Sequence, residues 1–188
     1  GLAFERHENI EEKVAAAIHA GKVVARFDGR MEYGPRALGN RSMLYHCGDR
    51  AVNDWLNKKL RRTEFMPFAP ACAYEAKDRL FKGVAGAEHA AEFMTVTFDA
   101  TDEMAERGPA AVHVDGTARP QLVREEANPS FHRIISEYEK LSGFPCVINT
   151  SFNMHEEPIV CTPEDGVKGF VDSRVDFLAM GKFLARIG

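Results

Sequence analysis

Apolar residues recur every four positions at Ile10, Val14 and Ile18, which sets them on one face of a helix over 10–20. Asn9 and Glu12 read as a capping box at its start, and Gly21 closes it. The run 22–28, with Val23, Val24 and Phe27 as its apolar positions, predicts a short buried strand. Residues 29–42 are rich in Gly and Arg and predict a loop, followed by a strand over 43–47. Asp49 caps a second helix with Val52, Trp55 and Leu56 on its inner face. A strand over 68–74 is bounded by Pro67 and interrupted by Pro70, which predicts a sheet edge or a bulge.

Residues 82–91 have little pattern and read as loop, while 93–98 and 111–114 read as strands. Asn128-Pro129 opens a strong helix with Phe131, Ile134, Ile135, Tyr138 and Leu141 inward, ended by Ser142-Gly143. A buried strand covers 145–148. Thr162-Pro163-Glu164-Asp165 starts a last helix with Val167, Phe170 and Val171 on its face, and strands over 177–180 and 183–187 follow. Strands interleaved with helices predict an α/β (α+β) domain. Several connections are too short for parallel crossovers, so the sheet is expected to be mixed.

The 188 residues suit one domain that holds a core without staples, at 45% hydrophobic and 28% charged residues. Lys and Arg total 24 against 28 Asp and Glu, a net charge of -4 that argues against nucleic-acid binding. No apolar run approaches the ~20 residues that span a bilayer, and no signal-peptide pattern opens the chain; a cytoplasmic protein is expected. Gly1 in place of Met reads as a piece of a longer protein, with Gly1 a tag scar. Cys47, Cys72, Cys146 and Cys161 have neither C-x-x-C nor zinc spacing and read as buried free thiols.

Three polar constellations carry candidate chemistry. The first, 29–42, sets Arg30, Arg36 and Arg41 among Gly29, Gly34 and Gly39. Glycine permits close approach of the backbone to a ligand, and the guanidinium fork matches phosphate or carboxylate. The loop is therefore either an anion cradle or a solvated loop with Arg36 or Arg41 paired to Glu32. Its order is not that of a phosphate-binding P-loop. The second, 113–119, follows a strand end and contains His113, Asp115, Thr117 and Arg119; Asp115-Gly116 by itself is an ordinary turn. The third, Asn149-Thr150-Ser151-Phe152-Asn153, follows the strand over 145–148 and groups two amides and two hydroxyls, suited either to phosphate oxygens or to capping a turn. Lys58, Lys59, Arg61 and Arg62 complement the end of the second helix. No Ser–His–Asp order, H-E-x-x-H or Asp-rich metal loop is present, and Glu156 and Glu157 would meet Mg²⁺ only through a nucleotide.

Together these strings resemble one family. Residues 29–42 resemble G-R-M-E-[FY]-G-P-R-A-L-G-x-R-S, 65–70 resemble F-R-P-F-A-P, and 113–121 resemble H-V-D-G-T-A-R-x-Q. Asn149 to Asn153 with 157–160 resemble N-T-S-F-N-x-x-x-E-P-I-V. Order and spacing match over roughly 22–187, so the chain is identified as the C-terminal domain of a NodU/CmcH-type O-carbamoyltransferase.

The resemblance implies a YrdC-like α/β fold that takes carbamoyl phosphate and ATP with Mg²⁺ and forms carbamoyl adenylate. It implies a partner N-terminal actin-like domain, outside this sequence, that binds iron and carries the transfer to a hydroxyl acceptor. No metal site of that kind is expected here, nor a nucleic-acid or membrane partner. Arg36, Arg119 and Ser151 are the implied catalytic residues. Arg41, Ser42, Lys59, Arg62, His113, Asp115, Thr117, Asn149, Thr150 and Asn153 are the implied substrate and nucleotide contacts. Arg36 and Arg119 would touch phosphate, Asn149, Thr150 and Ser151 the phosphoryl or nucleotide side, and Asp115 and Thr117 would shape their loop. The family usually has Lys at the position of Leu60 and Arg at that of Met66. These departures open the alternative of a non-catalytic anion- or nucleotide-binding module.

Overall fold

Alternate residues of the central strands bury on opposite faces of one sheet, so both faces are covered. The computed structural model describes residues 1–59 and 68–188. Its elements run β1 (Leu2–Arg6), α1 (Ile10–His19), β2 (Val24–Phe27), β3 (Arg41–His46), α2 (Ala51–Lys59), β4 (Ala69–Ala73), α3 (Lys77–Leu80) and α4 (Glu88–Ala91). There follow β5 (Phe98–Asp99), α5 (Asp102–Arg107), β6 (Thr117–Ala118), β7 (Gln121–Val123), α6 (Pro129–Ser142), β8 (Cys146–Ser151), α7 (Pro163–Ser173), β9 (Phe177–Met180) and β10 (Phe183–Ile187).

Among the described residues the sheet is ordered β1-β10-β9-β2-β3-β8-β4-β7 and is mixed, with β2–β9 and β4–β7 parallel. On one face Leu44, Ala71 and Val147 pack with Val14 and Ile18 of α1 and Phe131 and Ile135 of α6. On the other, Met43, Cys72 and Ile148 pack with Leu56, Phe152 and Phe170. Burial of a side chain such as Phe131 or Phe170 stabilises by roughly 1.5–3 kcal/mol, and the two-faced layering supplies it on both sides.

Several elements depart from the sequence reading. The strand expected over 93–98 is reduced to Phe98–Asp99, because Met94 takes φ 56° and breaks the extended run. The strand expected over 111–114 is absent: Pro109–Ala111 forms a 3-10 turn and Val114 is exposed. Residues 82–91, read as loop, contain α4. Pro70 lies on an interior strand, not an edge; β7 has only three residues and its register on β4 begins at Ala71, so no β7 residue faces Pro70. The strand over 145–148 extends to Ser151, and that over 43–47 begins at Arg41.

Asn9 makes no side-chain cap at α1. The capping box falls instead on Thr162 and Asp165 at α7. Trp55, Leu141, Val167 and Val171 are exposed. Helix α7 turns Gly166, Gly169 and Phe170 inward, so close that a Cβ at Gly166 would stand 2.9 Å from Phe27; its valines are left outside. Cys161 is exposed, whereas Cys47, Cys72 and Cys146 are buried. Strands β1 and β7 and helix α5 carried no sequence expectation. Among the described residues no helix is long and apolar enough to cross a membrane.

Candidate functional site

The Gly/Arg-rich loop between β2 and β3 is held by hydrogen bonds to the protein's own groups. Buried Arg26 donates to Asn40 Oδ1 at 3.1 Å, Asp28 Oδ2 at 2.6 Å, Ser130 Oγ at 2.9 Å and the Gly39 carbonyl at 2.5 Å. Glu32 Oε1 accepts the backbone N–H groups of Leu38 and Asn40 at 2.7 Å and of Arg41 at 3.4 Å. The carboxylate therefore pins the loop through its backbone, and neither arginine side chain is its hydrogen-bond partner. Arg41 donates to the carbonyls of Asp28, Asn40 and Gly29 and stacks on the Phe27 ring at 3.5 Å. Ser42 Oγ accepts from Gly39 N at 2.9 Å. Gly39 has φ 121°, and a Cβ there would meet Phe131 at 2.4 Å, so only glycine fits.

A second loop is shaped by a tight turn. His113 N donates to the Thr117 carbonyl at 2.7 Å, and Asp115 Oδ1 accepts from Thr117 N and Oγ1 at 3.0 and 2.8 Å. The Thr117 backbone N–H, then its hydroxyl, hold the Asp115 carboxyl below its usual range. His113 Nδ1 lies 3.0 Å from Thr117 Oγ1. This turn leads into β6 and sets Arg119 just beyond it.

The two loops meet over the end of β8. Arg36, Arg119, Asn149, Thr150 and Ser151 line one cleft of about 80 Å³, together with Pro35, Ala37, Phe68, Ala69 and Met94. A wider depression of about 340 Å³ adjoins it, sharing Pro35, Arg36, Met94 and Arg119 and bordered by Tyr33, Leu38 and Phe93. Among the described residues neither Arg36 nor Arg119 has a carboxylate partner. Burial, and after it the neighbouring Arg36 charge, push the Arg119 pKa below the usual arginine value. Two unneutralised guanidinium groups beside a floor of amides and hydroxyls are an arrangement with the charge and donors that suit an anion.

The expected residues thus divide. Arg41 and Ser42 are buried within the loop's own scaffold, and His113, Asp115 and Thr117 build a turn; none of these lines either cleft. Asn153 accepts from Ser151 Oγ at 2.6 Å and donates to the Glu157 carbonyl at 2.7 Å, outside both linings. The Lys59 side chain, Leu60, Arg61, Arg62 and Met66 lie outside the described residues. Gln121 was quoted in a motif but given no role; its amide holds Asn149 and Leu38 beneath the cleft. Met94 gave no signal, because its position depends on a left-handed backbone. Among the described residues no cluster of three or more His, Cys, Asp or Glu is placed to hold a metal.

Similar proteins agree on one family. The family model "Carbamoyltransferase C-terminus" matches residues 15–186. The chain is 39% identical over 180 residues to an uncharacterised protein of Methanocaldococcus jannaschii, covering 95% of this chain and 29% of that one. It is 34% identical to the nodulation protein NolO of Bradyrhizobium diazoefficiens, covering 98% and 34%. It is 36% identical to the 3'-hydroxymethylcephem-O-carbamoyltransferase of Streptomyces clavuligerus, covering 82% and 29%. The chain spans about a third of the length of these relatives.

In solved structures its fold resembles full-length HypF in a phosphate- and nucleotide-bound form, at TM-score 0.61 and 19% identity, covering 92% of this chain and 21% of that one. It also resembles P. abyssi Sua5, at TM-score 0.62 and 15% identity, covering 95% and 48%. The mixed sheet flanked by helices is accordingly the YrdC-like fold. With 34–39% identity to these relatives and a family match over nearly its whole length, the chain belongs to the carbamoyltransferase C-terminal family of the NodU/CmcH type.

Proposed function

We propose that this domain binds carbamoyl phosphate and ATP with Mg²⁺ and forms carbamoyl adenylate, which an N-terminal domain of the full-length protein transfers to a hydroxyl acceptor. The observation that carries this reading is the meeting of Arg36 and Arg119, each without a carboxylate, over Asn149, Thr150 and Ser151. Two like charges held close are unfavourable until an anion enters, and a dianionic phosphoryl group suits both forks at once.

The atoms balance in two steps. Water cleaves carbamoyl phosphate to carbamate and phosphate. A carbamate oxygen then bonds to the α-phosphorus of ATP, and pyrophosphate leaves with its electron pair. Negative charge develops on the α-phosphoryl oxygens, where preoriented guanidinium donors stabilise it. Mg²⁺ travels with the nucleotide and neutralises the leaving pyrophosphate. The adjoining depression, bordered by Tyr33, Leu38 and Phe93, offers apolar surface of the kind a nucleobase stacks on.

The test is carbamoyl-phosphate-dependent exchange of labelled pyrophosphate into ATP by the full-length protein. Exchange supports the reading; calorimetry showing that neither carbamoyl phosphate nor ATP binds would overturn it. Leu60 and Met66, which stand where the family usually has cations, favour a second reading, a binding module without catalysis. Under it, Leu60→Lys with Met66→Arg raises ligand affinity sharply while wild type catalyses no exchange.

A further inference from the structure

The cleft floor contains an amide relay whose polarity is fixed by its ends. The Leu38 carbonyl can only accept, and Gln121 Nε2 donates to it at 2.7 Å. That leaves Gln121 Oε1 turned to Asn149, whose Nδ2 donates to it at 2.7 Å and to the Ala37 carbonyl at 3.1 Å. Flipping Asn149 would set its oxygen against two acceptors, and flipping Gln121 would set its oxygen against Leu38, so one orientation survives. Asn149 Oδ1 is then left as a buried acceptor with no hydrogen-bond partner, in a side chain only 1% exposed. Buried polar atoms are nearly always paired, and an unpaired one is a standing deficit.

We infer that Asn149 is a specificity-determining residue whose Oδ1 accepts a hydrogen bond from the NH₂ of the carbamoyl group. The inference rests on the proposed binding of carbamoyl phosphate in this cleft and goes beyond it by saying which end of the ligand Asn149 reads. The floor residue lies in the same lining as Arg36 and Arg119, so the phosphoryl end and the NH₂ end of one small acyl phosphate have partners of opposite character. The ionised phosphoryl oxygens of an acyl phosphate bring no donor and cannot relieve the deficit at Oδ1. Oδ1 is buried in this structure, so the carbamoyl NH₂ reaches it only with a shift of the atoms that cover it, and pairing the orphaned oxygen favours that shift. Acetyl phosphate replaces the NH₂ with a methyl of similar size and would leave Oδ1 unpaired.

The experiment is calorimetric titration of the full-length protein with carbamoyl phosphate, acetyl phosphate and inorganic phosphate. Wild type should bind carbamoyl phosphate about tenfold more tightly than acetyl phosphate, the difference between a paired and an unpaired acceptor. Asn149→Ala should bring the ratio of the two affinities close to one. Arg119→Ala should weaken all three ligands and keep the ratio, which separates reading the NH₂ from holding the phosphate. Equal affinities in wild type, or a preference that survives Asn149→Ala, would overturn the inference and leave the parent reading standing. Failure of all three ligands to bind would sink both. The wild-type comparison needs no variant and holds even where Asn149→Ala does not fold.

Discussion

Two pairs of arginines in and around the cleft have opposite surroundings. Arg26 and Arg41 are buried and turned inward, donating to carbonyls, an amide, a hydroxyl and Asp28. Arg36 and Arg119 come from two loops, have no carboxylate partner among the described residues, and line the cleft. Burial lowers the pKa of Arg26 with Asp28 as the chief opposing charge, whereas at Arg119 the neighbouring Arg36 adds to the effect of burial. Arg26 also lies in the field of Arg41, but Asp28, Glu11 and Glu32 offset it, whereas no carboxylate offsets the Arg36 charge at Arg119.

This contrast can be broken most forcefully at Arg26. Arg26→Met removes the partner of half-buried Asp28 and leaves the Gly39 carbonyl and Asn40 Oδ1 without this donor, and each buried acceptor left unpaired typically costs about 1–3 kcal/mol. Urea denaturation should show that loss; an unchanged midpoint would remove Arg26 from the scaffold. Gly39→Ala tests the same loop through its backbone. The positive φ and the collision with Phe131 should cost about 2 kcal/mol or more in thermal unfolding.

Arg119→Ala should act oppositely. Affinity for carbamoyl phosphate should fall about 10- to 100-fold, the worth of a charge-assisted hydrogen bond. Stability should stay within about 0.5 kcal/mol or rise, since removing one of two like charges relieves repulsion. The smallest effect belongs to a third kind of arginine, exposed Arg79 paired with Glu103 at 2.6 Å. The Arg79 hydrogen bond, chiefly, lowers the Glu103 pKa. A carboxylate lowered in the folded state contributes stability that is present above the usual glutamate range and is lost as pH falls through the lowered value. Glu103→Gln should therefore cost under about 1 kcal/mol at neutral pH. The gap from wild type should close in acid.

The arginine contrast also marks what the sequence could disclose. Arg36 and Arg41 stand in the same string with glycine nearby, and nothing local separates them. Only the β2–β3 register, which sets Arg41 opposite Phe27, decides that Arg41 stacks inward. The helices over 10–20 and 129–142 were legible because their apolar periodicity is strong and α6 has Asn128, Pro129 and Gly143 as start and stop signals. The stretch 93–98 alternated like a strand but lacks a partner for most of its length, and Met94 in the left-handed region redirects it. The three motifs named side chains that do converge, yet Gln121 and the orphaned Asn149 oxygen emerge only from three-dimensional pairing.

The most direct measurement is a crystal structure of the full-length protein with carbamoyl phosphate and ATP bound. The account predicts phosphoryl oxygens within hydrogen-bonding distance of both the Arg36 and Arg119 guanidinium groups, above Asn149, Thr150 and Ser151. Phosphate held elsewhere, with both arginines turned to solvent, would contradict it.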